Sequence, residues 1–241
     1  MLLFHVIYTL REIKRLKNKI SQAIILCGGK GERLMPITKK IPKPLAKIGG
    51  DTILGHQLKY LNNQGITDFI LTTGYKSELI DEYVKNNFNN LNIITIDSGD
   101  VDILVRLKKC IPYINDDCLV CYGDTLANVD INALYQFHIK NNSKITVTSY
   151  QLESQFGILD IDSKGLVSRF REKPKLDAWI NIGYLIINNQ LLQNNLDSFA
   201  DFISDLANHG HLFSYKHNGL HITVNSLTEL KQAEKNIRGF I

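Results

Sequence analysis

The sequence has few cysteines and no strong excess of either charge. Four cysteines among 241 residues are too few for a disulfide framework, so we expect a reducing, cytoplasmic location. Lysine and arginine total 28 against 24 acidic residues, and the net charge of +4 is smaller than the basic excess typical of proteins that bind nucleic acid. We therefore expect no nucleic-acid partner, although a few well-placed cations would be enough to bind a small anionic substrate.

The chain also lacks repeats, low-complexity tracts and any apolar run of the roughly 20 residues that a membrane-spanning helix needs. Residues 1–10 are mostly apolar and precede a basic run from Arg11 to Lys19, whereas a secretory signal has the reverse order. We expect residues 1–21 to form an extra N-terminal helix or arm without stable membrane insertion. Membrane-surface attachment and a mis-set start codon are the alternatives. Residues 22–241 are expected to form one domain.

Short apolar runs alternate with amphipathic segments along that domain. The alternation predicts an α/β fold with a Rossmann-like, mixed but mostly parallel sheet flanked by helices. Ligands of such sheets bind beyond the carboxyl ends of the strands. The predicted strands are 23–26, 69–72, 93–96, 118–121, 145–150, 157–161, 166–171 and 182–187, the sixth and seventh forming a hairpin. The predicted helices are 53–63, 77–86 (with Ser77 as its N-cap), 102–113, 131–141, 191–206 and 227–237.

A glycine-rich loop directly after the first predicted strand carries the strongest functional signal. Three glycines let the backbone turn and bring its N–H groups close to a polyphosphate. They are Gly28, Gly29 and Gly31. Arg33 and Lys43 add two cations to the same segment, and a proline on each side of Lys43 stiffens the chain. The loop is not a Walker loop, since no Gly-Lys-Ser/Thr follows, and it lacks the third glycine of a dinucleotide fingerprint.

A carboxylate follows the predicted strand 118–121. Asp124 ends the sequence Cys-Tyr-Gly-Asp, which places it at the edge of the sheet where ligands bind. Mg²⁺ prefers one or two carboxylates together with phosphate oxygens. An isolated aspartate in such a position is more often a turn or cap residue, but beside the glycine-rich loop we interpret Asp124 as a metal ligand.

Six pieces of the chain, in this order, carry a family resemblance: LCGGKGERL, PKPLAKIGG, ILGHQLKYLNNQGITDFILTTGYK, CYGD, FGILDIDSKGLVSRFREKP and WINIGYLII. They resemble the NTP-dependent sugar-1-phosphate nucleotidyltransferases, and most of all the glucose-1-phosphate cytidylyltransferases. The resemblance covers residues 22–190 well and the tail poorly. It implies a domain of the nucleotidyltransferase or GT-A type and an Mg²⁺-dependent enzyme. Such an enzyme would join an NTP, with CTP expected first, to a sugar 1-phosphate and release pyrophosphate.

The resemblance also implies roles for particular residues. The residues implied to act on the phosphates are Arg33 for the β- and γ-phosphates, Lys43 for the α-phosphate and Lys173 for the sugar phosphate. The implied nucleotide-binding residues are Leu26, Gly28, Gly29, Gly31, Gly74, Ser98 and Gly99. The implied sugar-binding residues are Glu172, Trp179, Asn181 and Gly183. The implied metal ligands are Asp124 and Asn225.

The chain departs from the family pattern in three places. Residues 97–109 replace the element beside the nucleotide base, and the glycines that precede Arg106 in the family are missing. Asn225 stands where the family has a second metal-binding aspartate, and its neutral oxygen is a weaker ligand for Mg²⁺. Ile182 takes the second position of a glycine pair, where it is expected to reshape the sugar pocket. Two alternatives therefore stay open: a catalytically weakened homologue that binds nucleotide or a partner, and a GT-A glycosyltransferase.

Other chemistry-bearing residues are given structural interpretations. Asp160 and Asp162 form a D-x-D inside the predicted hairpin, where we expect a turn role. Cys118 and Cys121 are three residues apart in a strand and should point to opposite faces, which argues against a shared metal. The histidines at 209, 211, 217 and 221 lack zinc-ligand spacing. The family is often oligomeric, but the chain has no long C-terminal extension, so a homo-oligomer stays an open expectation.

Overall fold

A computed structural model describes residues 19–240. Helices α1–α6 are Ile53–Asn63, Ser77–Asn87, Ile103–Cys110, Ile131–Lys140, Phe199–Asn208 and Leu227–Asn236. Strands β1–β13 are Gln22–Leu26, Lys47–Ile48, Asp51–Thr52, Asp68–Thr73, Asn92–Asp97, Asp117–Tyr122, Thr125–Ala127, Ile145–Glu153, Ile158–Ile161, Val167–Arg171, Lys175–Asn188, Leu212–His217 and His221–Thr223. Within residues 19–240, no helix is long and apolar enough to cross a membrane.

Seven of the strands form the main sheet, in the order β12-β8-β11-β6-β1-β4-β5. Only β11 among these seven runs antiparallel to its neighbours, β8 and β6, and the other four pairings are parallel. This sheet confirms the predicted mixed, mostly parallel α/β fold. Strands β9 and β10 form a separate two-stranded antiparallel arm, as the predicted hairpin required.

The two faces of the main sheet bury two apolar clusters. Ile25, Cys121 and Tyr184 belong to the cluster on one face, and Ile24 and Cys118 belong to the cluster on the other. Alternate residues of a strand point to opposite faces, so burial on both sides explains the continuous apolar runs of the central strands. Because Cys118 and Cys121 lie in different clusters, the structure confirms that they point away from each other.

A third apolar cluster lies beneath the C-terminal helix and joins elements that are distant in sequence. It contains Leu34, Leu126 and Val224, which are all buried. Each of these residues is one or two positions from a candidate functional residue: Arg33, Asp124 and Asn225 respectively. Burial of this cluster therefore fixes the relative positions of three chain segments that carry polar side chains.

Two local predictions were wrong. The N-cap of α2 is Lys76, in the left-handed region at φ 55, and its ammonium donates to the backbone carbonyls of residues 39 and 40. Ser77 lies inside the helix, and its hydroxyl donates to Asp97 instead. The predicted helix 191–206 is replaced by a 3₁₀ turn at Asn189–Leu192 and by α5, which begins only at Phe199 after the N-cap Ser198.

Four other elements of the sheet system were not predicted. They are the short strands β2, β3, β7 and β13, of two or three residues each. The edge strand β12, Leu212–His217, was also missed. The boundary proposed near residue 21 falls where the chain joins the sheet, since Ile20 is buried and the Ser21 carbonyl accepts from the amide of Thr67. The rest of the expected N-terminal helix or arm lies outside the described residues.

Candidate active site

A cleft of about 640 Å³ lies beyond the carboxyl ends of β1 and β6. It brings together the two cations of the glycine-rich segment, the strand-end carboxylate and a residue from the C-terminal region. These side chains are Arg33, Lys43, Asp124 and Asn225. Leu26, Gly28, Gly29 and Gly31 line the same cleft. Half of the residues singled out in the sequence therefore share one site, although some are almost 200 positions apart.

Lys43 is the centre of a hydrogen-bonded network in this cleft. Its side chain is buried, and its ammonium donates to Asp124 Oδ2 at 2.6 Å and to Asn225 Oδ1 at 2.9 Å. Arg33 Nη2 donates to the same oxygen of Asn225 at 3.0 Å. The neutral amide of Asn225 therefore connects the two cations, and Asp124 neutralises one of them.

Two features of the strand ends place Asp124 in the network. Gly123 follows β6, and its amide donates to the carbonyl of Leu26 at the end of β1. A Cβ at this glycine would lie 2.6 Å from that carbonyl oxygen, so only glycine allows the two strand ends to approach this closely. The next residue, Asp124, is thereby held beside the glycine-rich loop.

A short ribbon brings Asn225 to the same place. Strand β13 pairs with β7 so that Thr223 lies opposite Thr125, and the amide of Val224 donates to the carbonyl of Asp124. Asn225 comes one residue later, just before the N-cap Ser226 of α6. Its backbone amide donates to the carboxylate of Glu229 in the first turn of α6. The Ser226 hydroxyl accepts from the Glu229 amide, so these two capping hydrogen bonds hold the backbone of Asn225 in place.

The glycine-rich loop lines the cleft and contains unpaired backbone donors. In residues 19–240, no group accepts a hydrogen bond from the backbone N–H of residues 28–33. Gly31 adopts φ 62, and a Cβ there would lie 3.0 Å from both Lys43 Cβ and Thr38 Cγ2. This glycine is therefore required for Lys43 to pass beneath the loop. Successive free N–H groups form an anion-binding concavity.

Arg106 is a cleft residue to which sequence reasoning assigned no role. It is 6% exposed, and its guanidinium donates to the backbone carbonyls of Val101, Thr73 and Gly28. Burial lowers the pKa of Arg106 from its ordinary value, but the side chain stays charged because that value is far above neutrality. The Arg-Leu pair at positions 106 and 107, which the family also has, is the signal that could have found it.

The remaining residues predicted to bind nucleotide lie next to the cleft and do not line it. Gly74 is held between backbone groups, since a Cβ there would lie 2.7 Å from the carbonyl oxygen of Gly99 and 2.9 Å from that of Gly28. The amide of Ser98 donates to the carbonyl of Thr73. These residues fix the ends of β4 and β5 against the glycine-rich loop.

The residues predicted to bind sugar also lie outside the lining of the cleft. Asn181 and Gly183 contact its wall, because Asn181 Nδ2 donates to Tyr122 Oη at 3.4 Å and Gly183 packs against the Tyr122 ring. Trp179 is 37% exposed and lies under the ammonium of Lys216. Glu172 and Lys173 follow the arm strand β10.

One expectation about that region was wrong. Ile182 is 2% exposed and belongs to the apolar cluster that contains Tyr184. Its side chain therefore fills the core and does not reshape a sugar pocket. The reason is the alternation of β11, which points Ile182, Tyr184 and Ile186 to the same buried face.

The D-x-D residues have local roles within the arm. Asp160 pairs with Arg171 at 2.9 Å across the two strands. Asp162 accepts from the turn amides of Lys164 and Leu166. The contacts of Asp162 confirm its turn role, whereas the turn role expected for Asp160 was wrong because this residue lies within β9 and forms a cross-strand ion pair. His221 lies on β13, where burial, and then the nearby His217, lower its pKa to about 4.

The donor set of the cleft suits a divalent cation shared with a substrate. Asp124 and Asn225 supply one carboxylate and one amide oxygen, and both already bind a cation, the Lys43 ammonium. The described residues contain no cluster of three or more histidine, cysteine or acidic side chains able to hold a metal. Mg²⁺ keeps several waters and takes substrate phosphates as ligands, so two protein oxygens fit it.

The α/β fold and a cleft with anion-binding groups are typical of enzymes that act on nucleotides, and comparison with known proteins identifies the family. Residues 22–240 match the family model described as nucleotidyl transferase. The match covers most of the chain, and the chain therefore belongs to the nucleotidyl transferase family.

The individual relatives include enzymes named for transfer of a nucleotidyl group to a sugar 1-phosphate. The chain is 34% identical over 242 residues to a probable glucose-1-phosphate cytidylyltransferase of Bacillus subtilis, covering 89% of this chain and 95% of the relative. It is 36% identical over 193 residues to the D-glycero-α-D-manno-heptose 1-phosphate guanylyltransferase of Campylobacter jejuni, covering 76% and 85%. The crystal structure of HddC from Yersinia pseudotuberculosis shares the fold, with a TM-score of 0.71 at 23% identity and coverage of 90% and 100%.

Proposed function

We propose that the protein transfers the cytidylyl group of CTP to a sugar 1-phosphate in an Mg²⁺-dependent reaction. An oxygen of the sugar phosphate attacks the α-phosphorus of CTP. The bond between that phosphorus and the oxygen leading to the β-phosphate breaks, and pyrophosphate leaves with the electron pair. The product is a CDP-sugar. Similarity to a cytidylyltransferase over nearly the whole chain supports cytidine as the base.

The observation that carries this proposal is the convergence of three anion-binding features in one cleft. Residues 28–33, whose backbone N–H groups are unpaired, line the same cleft as the side chains of Arg33 and Lys43. Arg33, at the open side, would hold the departing phosphates, and buried Lys43 would offset the charge that develops at the α-phosphate. Fixed donors of this kind stabilise a transition state without reorganising.

Mg²⁺ would be held by Asp124 and Asn225, and it would neutralise charge on the triphosphate. Arg106 is proposed as a further nucleotide contact, since it lines the cleft next to Gly28. Lys173 and Glu172 are proposed to bind the sugar phosphate and a sugar hydroxyl from the arm. Trp179, Asn181 and Gly183 are proposed to border that sugar.

The test is pyrophosphate release by the full chain with Mg²⁺, each of CTP, UTP, GTP, ATP and dTTP, and a panel of sugar 1-phosphates. We expect CTP with glucose 1-phosphate to react fastest. Lys43→Ala should lower kcat/KM by about 100- to 1,000-fold, the usual effect of removing one preorganised donor. Lys47→Ala, an exposed lysine on β2, is the matched control and should keep the wild-type rate.

Each of the other outcomes points to a different function. Faster reaction with GTP would reject cytidine as the base. Nucleotide binding without pyrophosphate release in any combination would favour the weakened homologue, which the neutral Asn225 and its bond to Lys43 make the second candidate. Transfer from a finished CDP-sugar without pyrophosphate release would favour a glycosyltransferase.

A further inference from the structure

Lys43 occupies the position from which a metal ion would contact Asp124 and Asn225. Its ammonium lies 2.6 Å from Asp124 Oδ2 and 2.9 Å from Asn225 Oδ1, and its side chain is only 10% exposed. A divalent cation bound to these two oxygens would meet a buried like charge at short range. Like charges in partly buried surroundings repel strongly because water screens them poorly.

Asn225 is already engaged by two cations. Its Oδ1 accepts from Lys43 and from Arg33 Nη2, and neither of these groups can accept a hydrogen bond, so the atom that faces them must be the oxygen. An amide oxygen has two lone pairs, and here both are used. Contacts with Glu229 and the cap of α6 hold the Asn225 backbone in place, so the side chain positions the two cations.

The charges that line the cleft favour an anion over a free dication. Four lining side chains are cationic and three are anionic: Lys30, Arg33, Lys43 and Arg106 against Glu32, Asp102 and Asp124. With aspartate at position 225 this excess would vanish, and the two metal-facing oxygens would both be carboxylates. A metal–triphosphate complex carries net negative charge, whereas a free divalent ion is repelled.

We propose that Lys43 and Asn225 make divalent-metal binding conditional on the triphosphate. The inference rests on the proposed function. In the free protein, Lys43 caps Asp124 and Asn225 and keeps a free dication out. Phosphate oxygens then take over the donors of Lys43 and Arg33, and the two freed oxygens become ligands for the metal that arrives with the nucleotide. Asn225 is thus a positioning residue for the cations and a metal ligand only in the loaded site.

The test measures binding of Mn²⁺ alone to the full chain by electron paramagnetic resonance, without nucleotide. Wild type should show no saturable site below about 1 mM free Mn²⁺, a range typical of weak carboxylate sites. Asn225→Asp and Lys43→Met should each bind Mn²⁺ at least about 10-fold more tightly, because one adds a carboxylate and the other removes the competing charge. Lys47→Met is the control and should behave as wild type.

Two further measurements test where Mn²⁺ binds and whether its binding is coupled to that of CTP. Asp124→Asn, added to either tightened variant, should abolish the new site, which excludes adventitious binding elsewhere. For wild type, CTP with Mn²⁺ should raise the unfolding temperature more than the sum of the two ligands added separately, because the folded state then gains a coupled site.

Three results would overturn the inference. Wild type could bind Mn²⁺ alone as tightly as Asn225→Asp, through Asp124. Lys43→Met could leave the affinity unchanged although the variant is folded by circular dichroism. The effects of CTP and Mn²⁺ on unfolding temperature could be additive. Pyrophosphate release tells these failures apart from failure of the proposed function, because release would persist if only the metal inference were wrong.

Discussion

The cleft and the β9–β10 arm differ in how their side chains are held in place. In the cleft, polar side chains are fixed by one another, by strand ends and by the apolar cluster that contains Leu34. On the arm, Phe156 is 77% exposed and Leu166 is 69% exposed, and two strands alone supply the structure. A two-stranded hairpin by itself is only marginally stable. The residues proposed to bind the triphosphate are thus held by a packed apolar cluster. Glu172 and Lys173 instead follow a two-stranded hairpin with exposed apolar side chains.

Tyr122 links the cleft to the strand that follows the arm. This residue ends β6 and lines the cleft, and it also contacts Asn181 and Gly183 of β11, the strand that follows the arm. A change that disturbs the packing around Tyr122 should therefore affect both the cleft and β11. A change at the tip of the arm should leave the cleft intact.

The largest effect on nucleotide binding is expected from a methyl group at the base of the glycine-rich loop. In Gly28→Ala the new Cβ would lie 1.4 Å from Arg106 Nη1 and 3.0 Å from the Thr73 carbonyl, so Arg106 must leave its buried site. We expect CTP affinity to fall about 100-fold, about 2.7 kcal/mol, which is the loss of one or two charge-assisted hydrogen bonds. Isothermal titration calorimetry of CTP binding to wild type and Gly28→Ala measures this loss of affinity.

Gly29→Ala is the matched control in the same loop. A Cβ there meets nothing within 4 Å, and the residue has no positive φ. Its unfolding free energy should stay within about 0.5 kcal/mol of wild type. If both variants lost affinity and stability equally, the close packing of Arg106 against Gly28 would not explain the effect.

A second pair of variants compares the cleft wall with the arm. Gly183 has φ +76, and a Cβ there would lie 2.3 Å from the Tyr122 ring; Gly183→Ala should therefore destabilise the protein by about 3 kcal/mol through strain and overpacking. Gly165, in the arm turn, has φ +87 but open space around it. Gly165→Ala should cost only the backbone strain, about 1–2 kcal/mol. Equal losses in urea unfolding would contradict the difference in packing.

The most gradual expected effect is a pH dependence of stability carried by His221. Its pKa is about 4 in the folded protein and about 6.5 when unfolded. The unfolded chain therefore binds more protons between these values, and stability is full above pH 6.5 and declines as the pH falls to 4. The decline attributable to His221 should be about 2 kcal/mol, allowing for its partial exposure.

Urea unfolding between pH 7.5 and 4.5 checks this slope. His221→Gln should flatten it but not remove it, since burial also lowers the pKa of His138. His209→Gln is the control because that ring is 65% exposed, and it should leave the slope nearly unchanged. An unaltered slope in His221→Gln would show that the imidazole is not buried in its neutral form.

Features that depend on residues close together in the chain could be predicted from the sequence. The apolar runs of the central strands and the position of Asp124 follow from neighbouring residues, and the structure confirms the strands. Asn225 was assigned only by resemblance, because its place depends on the β7–β13 register across about 100 residues. The site of Arg106 likewise depends on packing against distant carbonyls. Ser77 was wrongly taken as a cap because the signal for a side-chain cap cannot foresee that a lysine held by two carbonyls will adopt φ 55.

The separation between Lys43 and Asn225, 182 positions along the chain, has a consequence for biosynthesis. A nascent polypeptide that has left the ribosome only as far as α5 already contains the glycine-rich loop and Asp124. It cannot yet orient Arg33 through Asn225 or pack Val224 against Leu34. If the cleft acts as proposed, we expect no substrate turnover before β13 has emerged and folded back onto β7.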